Sequence, residues 1–433
     1  MIASSLPPAL ILIAGGFLLP FLGGWWRRAA ILVLPAAALW VVWQIPDGAQ
    51  LSVPFLDLTA LFPKDSGVKP SDFNLILVEG SRLSRLFGTI FTLMAFAGGL
   101  FALRQDRVVE LAAAFIYAGS AVGVCFAGDI ITVFVFWEIM AVASTIVIWS
   151  ARREKAFGAG LRYVAVHLLG GVLLMAGVVD YVIASKSIAF GAGPIYEILG
   201  MDRPGTWLIL AGFLINAGAP PLSAWLPDAY PEASYTGTVF LSAFTTKTAV
   251  FVLIKSYAGF EPLIWVGLYM IFYGIIYALL ENDMRRILAY SIVNQVGFMI
   301  TGIGIAGSSN PEFNQLALNG AASHAFTHII YKALLLMAAG AVLYQTGKSK
   351  CSELGGLFRT MPVTMVCGTI GALAISSFPL TSGFISKSMI SASAAEQHLA
   401  IAWFLLMAAS AGVFLHAGIK FPWYVFFQKD SGL

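Results

Sequence analysis

FNQLALNGAASHAFTHIIYKALLLMAAGAVLY, residues 313–344, decides how the rest of the chain is read. It is predominantly apolar and, at 1.5 Å rise per residue, long enough to cross a bilayer as a helix. His324, His328 and Lys332 stand near its centre, four residues apart. Successive fours turn a helix by about 400°, so the three drift slowly round one face and make a ladder roughly 12 Å long. An ionisable group at mid-bilayer costs roughly 2.5–3.5 kcal/mol on insertion scales, so three on one face must look into protein or water. One reading is a polar seam that glues helices together. The other is a proton path, because histidine changes charge near neutral pH and a buried lysine is readily neutralised.

Composition sets the class. Of 433 residues, 59% are hydrophobic and 11% charged, against about 25% charged in soluble domains. The expected fold is therefore an all-α polytopic membrane protein. The net charge of +3 gives no reason to expect nucleic acid as a partner. Cys125, Cys351 and Cys367 form no CxxC or Cys/His cluster, so neither an iron–sulfur centre nor a zinc site is indicated. No dinucleotide or P-loop motif stands in a strand–helix context. No cofactor and no metal are expected, and any redox or ATP chemistry belongs to another chain.

Thirteen spanning helices are read at 8–24, 29–45, 85–103, 108–127, 129–150, 156–184, 205–226, 235–258, 262–281, 288–307, 313–344, 361–393 and 398–421. No basic residue precedes the first, and Trp25, Trp26, Arg27 and Arg28 follow it, which is not the layout of a cleaved leader. Arginine and lysine gather after odd-numbered helices, at Arg104 and Arg107, at Arg152, Arg153 and Lys155, at Arg285 and Arg286, and at Lys348, Lys350 and Arg359. The positive-inside rule then places the N-terminus outside a bacterial cell (inner) membrane. The loop 46–84 is the longest connection, and VPFLDLTALF within it has strand character, which predicts a short external hairpin.

Two helices are broken. AGAPPLSAWLPDAYPEAS interrupts the seventh with Pro220, Pro221, Pro227 and Pro231, and SSFPLTSGFISKS interrupts the twelfth with Pro379 and Gly383. Proline removes a backbone donor, and the freed carbonyls survive in a membrane only where protein or a wet cavity covers them. The breaks fall in the fourth helix of two five-helix stretches, 108–258 and 262–421. An odd helix count per stretch makes the second inverted relative to the first, the pattern of transporters built from inverted repeats. The expected organisation is 1–107 as three N-terminal helices with the external loop, then the two repeats, then a cytoplasmic end at 422–433.

Charges recur inside the spans. Glu138 lies near the centre of the fifth helix, where a carboxylate must be paired, hydrated or protonated. Lys247 lies within the eighth, Lys387 follows the break in the twelfth, and His416 and Lys420 lie in the thirteenth. One central acid cannot neutralise all these bases, and stepwise proton transfer suits such a series. Asp129, Glu110 and Asp283 read as helix-end residues, His167 and Asp180 as helix contacts, and Arg162 as reaching for the surface.

WLPDAYPEAS, TTKTAVF, DMRRILAYSIVNQVGFM, SHAFTHIIYKALLLMAAG and GFISKS together resemble the antiporter-like subunits shared by respiratory complex I and the Mrp cation/proton antiporters. The resemblance runs from about 108 to the end. WLPDAYPEAS and HAGIKFPWYVFF look most like the D-type subunit of Mrp antiporters and its relatives in membrane-bound hydrogenase-type complexes. The resemblance implies a proton pathway through Glu138, Lys247, His324, His328, Lys332 and Lys387, with Asn216, Pro227, Asp228, Pro379 and Lys420 as broken-helix or auxiliary positions. It also implies other membrane subunits as partners, with protons and Na+ or K+ as cargo. The alternatives are a proton-pumping subunit of a redox complex, or a structural subunit without transport.

Two departures stand out. Family members usually carry a lysine nine residues before the tryptophan of WLPDA; here that tryptophan is Trp225 and the position holds Asn216. Asparagine can hydrogen-bond but carries no charge, which leaves Lys247 as the expected cationic neighbour of Glu138. The family usually has fourteen helices, so the sequence is expected to be a fragment or to lack the last one.

Overall fold

A computed structural model describes residues 6–191 and 193–432, so the outermost ends of the expected first and last segments, 1–5 and 433, lie outside the described residues. The helices run in the order α1 (Pro8–Leu18), α2 (Gly24–Gln44), α3 (Arg82–Phe101), α4 (Val108–Phe126), α5 (Ile130–Trp149), α6 (Glu154–Ser185), α7 (Ile195–Leu199), α8 (Pro204–Ala217) and α9 (Trp225–Ala229). They continue as α10 (Gly237–Ala243), α11 (Thr245–Tyr257), α12 (Pro262–Leu280), α13 (Met284–Ile305), α14 (Pro311–Thr346), α15 (Pro362–Ile375), α16 (Ser382–Glu396) and α17 (Ala400–Val413). Among the described residues ten helices are long and apolar enough to cross a membrane, and three shorter apolar ones accompany them. The chain is a multi-pass, all-α membrane protein.

The chain divides into two compact units. The first comprises 1–147, 164–216 and 251–257, and the second 148–163, 217–250 and 258–433. In the first unit, β1 (Gln50–Val53) and β2 (Leu75–Glu79) form an antiparallel hairpin. The strand character expected of VPFLDLTALF stops at Val53; a short 3-10 turn at Thr59–Leu61 follows instead. Asp129 fastens the hairpin to the start of α5, accepting from Ile76 N at 2.6 Å and Thr132 N at 2.7 Å. Lys255 adds a bond to Glu79 on β2 at 2.6 Å.

The second unit is built round α13, which is buried along its length except at Arg286. The Asp283 side chain caps its start by accepting from Arg285 N and Arg286 N. Beside it runs α14, which carries the histidine–lysine ladder. The Asn310 side chain caps α14, Pro311 occupies a first-turn position that needs no donor, and Gly347 ends the helix at φ +68, where a side chain is disfavoured. The interruption in the twelfth expected helix is present: α15 stops at Ile375, and Ser377 and Leu380 at φ +59 and +70 carry the chain to α16. The interruption in the seventh separates α8 from α9 across residues 218–224.

Candidate functional site

The bases of the second unit gather along α14. His324, His328 and Lys332 are buried, as are Lys247 and Lys387. The helix kinks between α10 and α11 at Phe244, and Lys247 Nζ donates to the Ser242 carbonyl at 2.7 Å. Lys332 Nζ donates to the Leu288 carbonyl of α13 at 3.2 Å. Lys387 on α16 donates to the Ile375 carbonyl at 2.8 Å and lies 4.7 Å from the Phe298 ring centroid. Ile375 is the last residue of α15, so the ammonium meets the negative end of a half-helix that the break created. Each lysine is thus held by one backbone carbonyl, and none belongs to an ion pair among the described residues.

His324 is fixed at both ring nitrogens, Nδ1 to Ser386 Oγ at 2.8 Å and Nε2 to Gln295 Oε1 at 3.0 Å. Tyr331 donates its hydroxyl to the same Gln295 oxygen at 3.3 Å. Gln295 donates in turn to Asn294 Oδ1 at 2.5 Å, and Asn294 Nδ2 lies 3.1 Å from His416 Nε2. His328 sits beside both His324 and Tyr331, with ring centroids 6.1 and 5.3 Å away, and neither of its nitrogens meets a partner among the described residues. Asn294, Gln295, Tyr331 and Ser386 were not among the residues singled out from the sequence. The available signal was the carboxamide pair inside the apolar run of SIVNQVGFM.

The auxiliary positions divide differently. Lys420 closes the end of α12, donating to the carbonyls of Ala278, Leu279 and Glu281 at 3.1, 2.7 and 2.5 Å. That is a helix cap, reached from a π-helical segment, Phe414–Lys420. Asp228 pairs with Arg162 in a two-pronged contact, Nε to Oδ2 at 2.7 Å and Nη2 to Oδ1 at 2.9 Å, on partly exposed side chains. Pro227 is buried within α9, and Pro379 is at the exposed tip of the second break. Arg285 looked like one of a cytoplasmic pair, yet it is buried. Its guanidinium donates to the carbonyls of Pro231, Ala233 and Ser234 at 2.7, 2.9 and 3.0 Å, and to Thr238 Oγ1. It satisfies the backbone that the prolines of the first break left open.

Glu138 belongs to the first unit. It is half-buried on α5, and its Oε1 has no hydrogen-bond partner among the described residues. A side chain at Gly171 on α6 would drive its Cβ into that oxygen, so the glycine makes the space the carboxylate uses. The neighbouring Gly170 faces Asn216 Oδ1, 3.7 Å from where its Cβ would be. Adjacent glycines of one helix thus touch the acid and the asparagine. Both polar atoms of the Asn216 side chain lack partners among the described residues. Glu138 also borders a cavity of about 660 Å³, otherwise lined by apolar residues and a glycine, among them Phe17, Phe21, Ile116 and Ile139.

Residues 127–415 match the family described as NADH:quinone oxidoreductase/Mrp antiporter, transmembrane. The chain belongs to that family. Within it, the D-type Na(+)/H(+) antiporter subunit of Alkalihalophilus pseudofirmus is 30% identical over 61% of this chain and 55% of its own length. Hydrogenase-4 component B of Escherichia coli is 28% identical over 73% of this chain and 51% of its own. The chain spans between about a third and about half of the length of the curated relatives it matches. In fold, this NADH:quinone oxidoreductase/Mrp antiporter family member is similar to a chain in the structure of the Mrp complex from Dietzia sp. DQ12-45-1b. The TM-score is 0.82 at 23% identity, over 99% of this chain and 80% of that one.

Proposed function

We propose that the chain is a proton-translocating subunit of a multi-subunit monovalent cation/proton antiporter, similar to the D-type Mrp subunit, in a bacterial cytoplasmic membrane. The observation that supports this best is the set of buried lysines, each with one carbonyl and no acid. An ammonium held by three bonds and a counter-charge is fixed in place, whereas one held by a single carbonyl can give up its proton at modest cost. With His324 and His328 beside them, these bases form a series through which a proton passes by short steps. In this reading Glu138 loads the proton, Lys247, His324, His328 and Lys332 carry it, and Lys387 releases it.

The test is to purify the chain from its native membrane with whatever accompanies it, and to reconstitute that assembly in vesicles. Inward Na+ or K+ gradients are expected to drive proton efflux that a pH-sensitive dye reports. An assembly that moves no protons against either cation would overturn the antiporter reading. The second reading, a membrane subunit of a redox-driven pump, is favoured by the likeness to hydrogenase-4 component B. Co-purification with iron–sulfur subunits would establish it. For orientation, a cysteine at Ser349 in a cysteine-free background is expected to react only from the cytoplasmic side; labelling from outside would reverse the topology.

A further inference from the structure

The hydrogen bonds from His416 to Ser386 have a direction, and one atom sets it. His416 Nδ1 lies 3.1 Å from the Gly412 carbonyl, which can only accept, so in the neutral ring Nδ1 carries the proton. Its Nε2 is then an acceptor, and the group facing it at 3.1 Å is the Asn294 amide nitrogen, which donates. Asn294 Oδ1 accepts from Gln295 Nε2 at 2.5 Å, which turns Gln295 Oε1 toward His324 at 3.0 Å. That oxygen already accepts from Tyr331, and as a carbonyl it cannot donate, so His324 Nε2 must carry the hydrogen. A neutral imidazole has one N–H. The remaining nitrogen, Nδ1, is bare and points at Ser386 Oγ 2.8 Å away.

We propose that His416 is a positioning residue that acts through Asn294 and Gln295 to hold His324 as the Nε2–H tautomer. Nδ1 of His324 is then its proton-accepting atom and Ser386 on α16 is its exchange partner. The Ser386 hydroxyl is suited to the task because it has a second acceptor. It donates to His324 while the ring is neutral, and can turn to the Ser382 carbonyl, 3.2 Å away, once Nδ1 gains a proton. As the hydroxyl's proton passes to Nδ1, Oγ takes another from a hydronium or ammonium donor, so the serine remains a hydroxyl, the ring becomes imidazolium, and only N–H and O–H bonds are made or broken. If His416 itself becomes protonated, Nε2 must donate, both amides must turn over and His324 must change tautomer; the charged groups whose fields reach His416 are Lys332, Lys387 and Lys420. The assignment of tautomers stands on geometry; its use in transport rests on the function proposed above.

The experiment is solid-state NMR of the full chain in bilayers with 15N-labelled histidine, the five histidine signals being assigned by single substitutions. In the wild type, neutral His324 is expected as one tautomer, Nε2–H. In His416→Phe, and separately in Asn294→Leu, the anchor is cut, and His324 is expected to become a mixture of both tautomers. Nδ1–H as the main wild-type form, or an unmixed Nε2–H form in either substituted chain, would overturn the inference, and the wild-type spectrum decides even if a variant does not fold. A wild type with the Nε2–H tautomer that moves no protons supports the inference and counts against the transport reading alone. Ser386→Ala is expected to slow proton movement about tenfold, and Ser386→Thr, which keeps the hydroxyl, to restore it.

Discussion

In the first unit, cations sit against carboxylates near the ends of helices: Lys255 with Glu79 at 2.6 Å, Arg203 with Asp180 at 2.7 Å and Arg85 with Asp47 at 2.7 Å. Deeper in that unit, Glu138 has a carboxylate oxygen with no partner among the described residues. The second unit is arranged the other way. Its buried cations face backbone carbonyls instead of acids, from one for Lys247, Lys332 and Lys387 to three for Arg285, and the half-buried Lys420 also meets three. The difference teaches how to separate structural from mobile charge. A cation with many acceptors is held because several backbone groups depend on it. A cation with one acceptor, or an acid with a bare oxygen, is available to exchange a proton.

The hardest test of that distinction is Arg285→Met. It removes the guanidinium from the acceptors around the first break, and a loss of about 3–5 kcal/mol in stability is expected, read as a large drop in the thermal midpoint in detergent. A midpoint near the wild-type value would mean that the break is held by something else.

Glu138→Gln comes next. Proton-coupled cation flux in vesicles is expected to fall about 100-fold with normal insertion, while Glu138→Asp keeps part of it. Gly171→Ala should imitate the loss, since its Cβ would stand against Oε1. Wild-type flux in the Gln variant would make the acid structural and erase the contrast between the units.

Lys387→Met sharpens the comparison within the second unit. Transport is expected to fall about tenfold while stability rises by about 1–3 kcal/mol, because an ammonium with a single carbonyl gives way to apolar packing of similar length. A variant that loses stability would place Lys387 with the structural cations. The smallest effect is expected for Lys420→Met, a loss of about 1 kcal/mol from uncapping α12, with flux within about twofold of wild type. Loss of flux with unchanged stability there would move Lys420 from an auxiliary position into the proton pathway.

The apolar spans, the two proline-marked breaks and the place of each charge along the chain are local properties, and the sequence alone determined them. A long run of apolar residues forms a helix in a bilayer, and proline removes a backbone donor wherever it falls inside one. The family's motifs likewise marked Glu138, Lys247, His324, His328, Lys332 and Lys387. What each charge touches was decided by tertiary structure. His416 and Asn294 are 122 residues apart, Gln295 and His324 are 29 apart, and no periodicity links them. Lys420 looked like a further base until α12 ended against it, and Arg285 looked like a surface charge until residues 231–238 folded over it. Asn216 and Glu138 were paired in the sequence only by analogy; the structure brings both against the adjacent glycines of α6. Hydrogen-bond partners depend on which helices pack together. That is set by the shape of whole faces, so it becomes definite only once the helices have assembled.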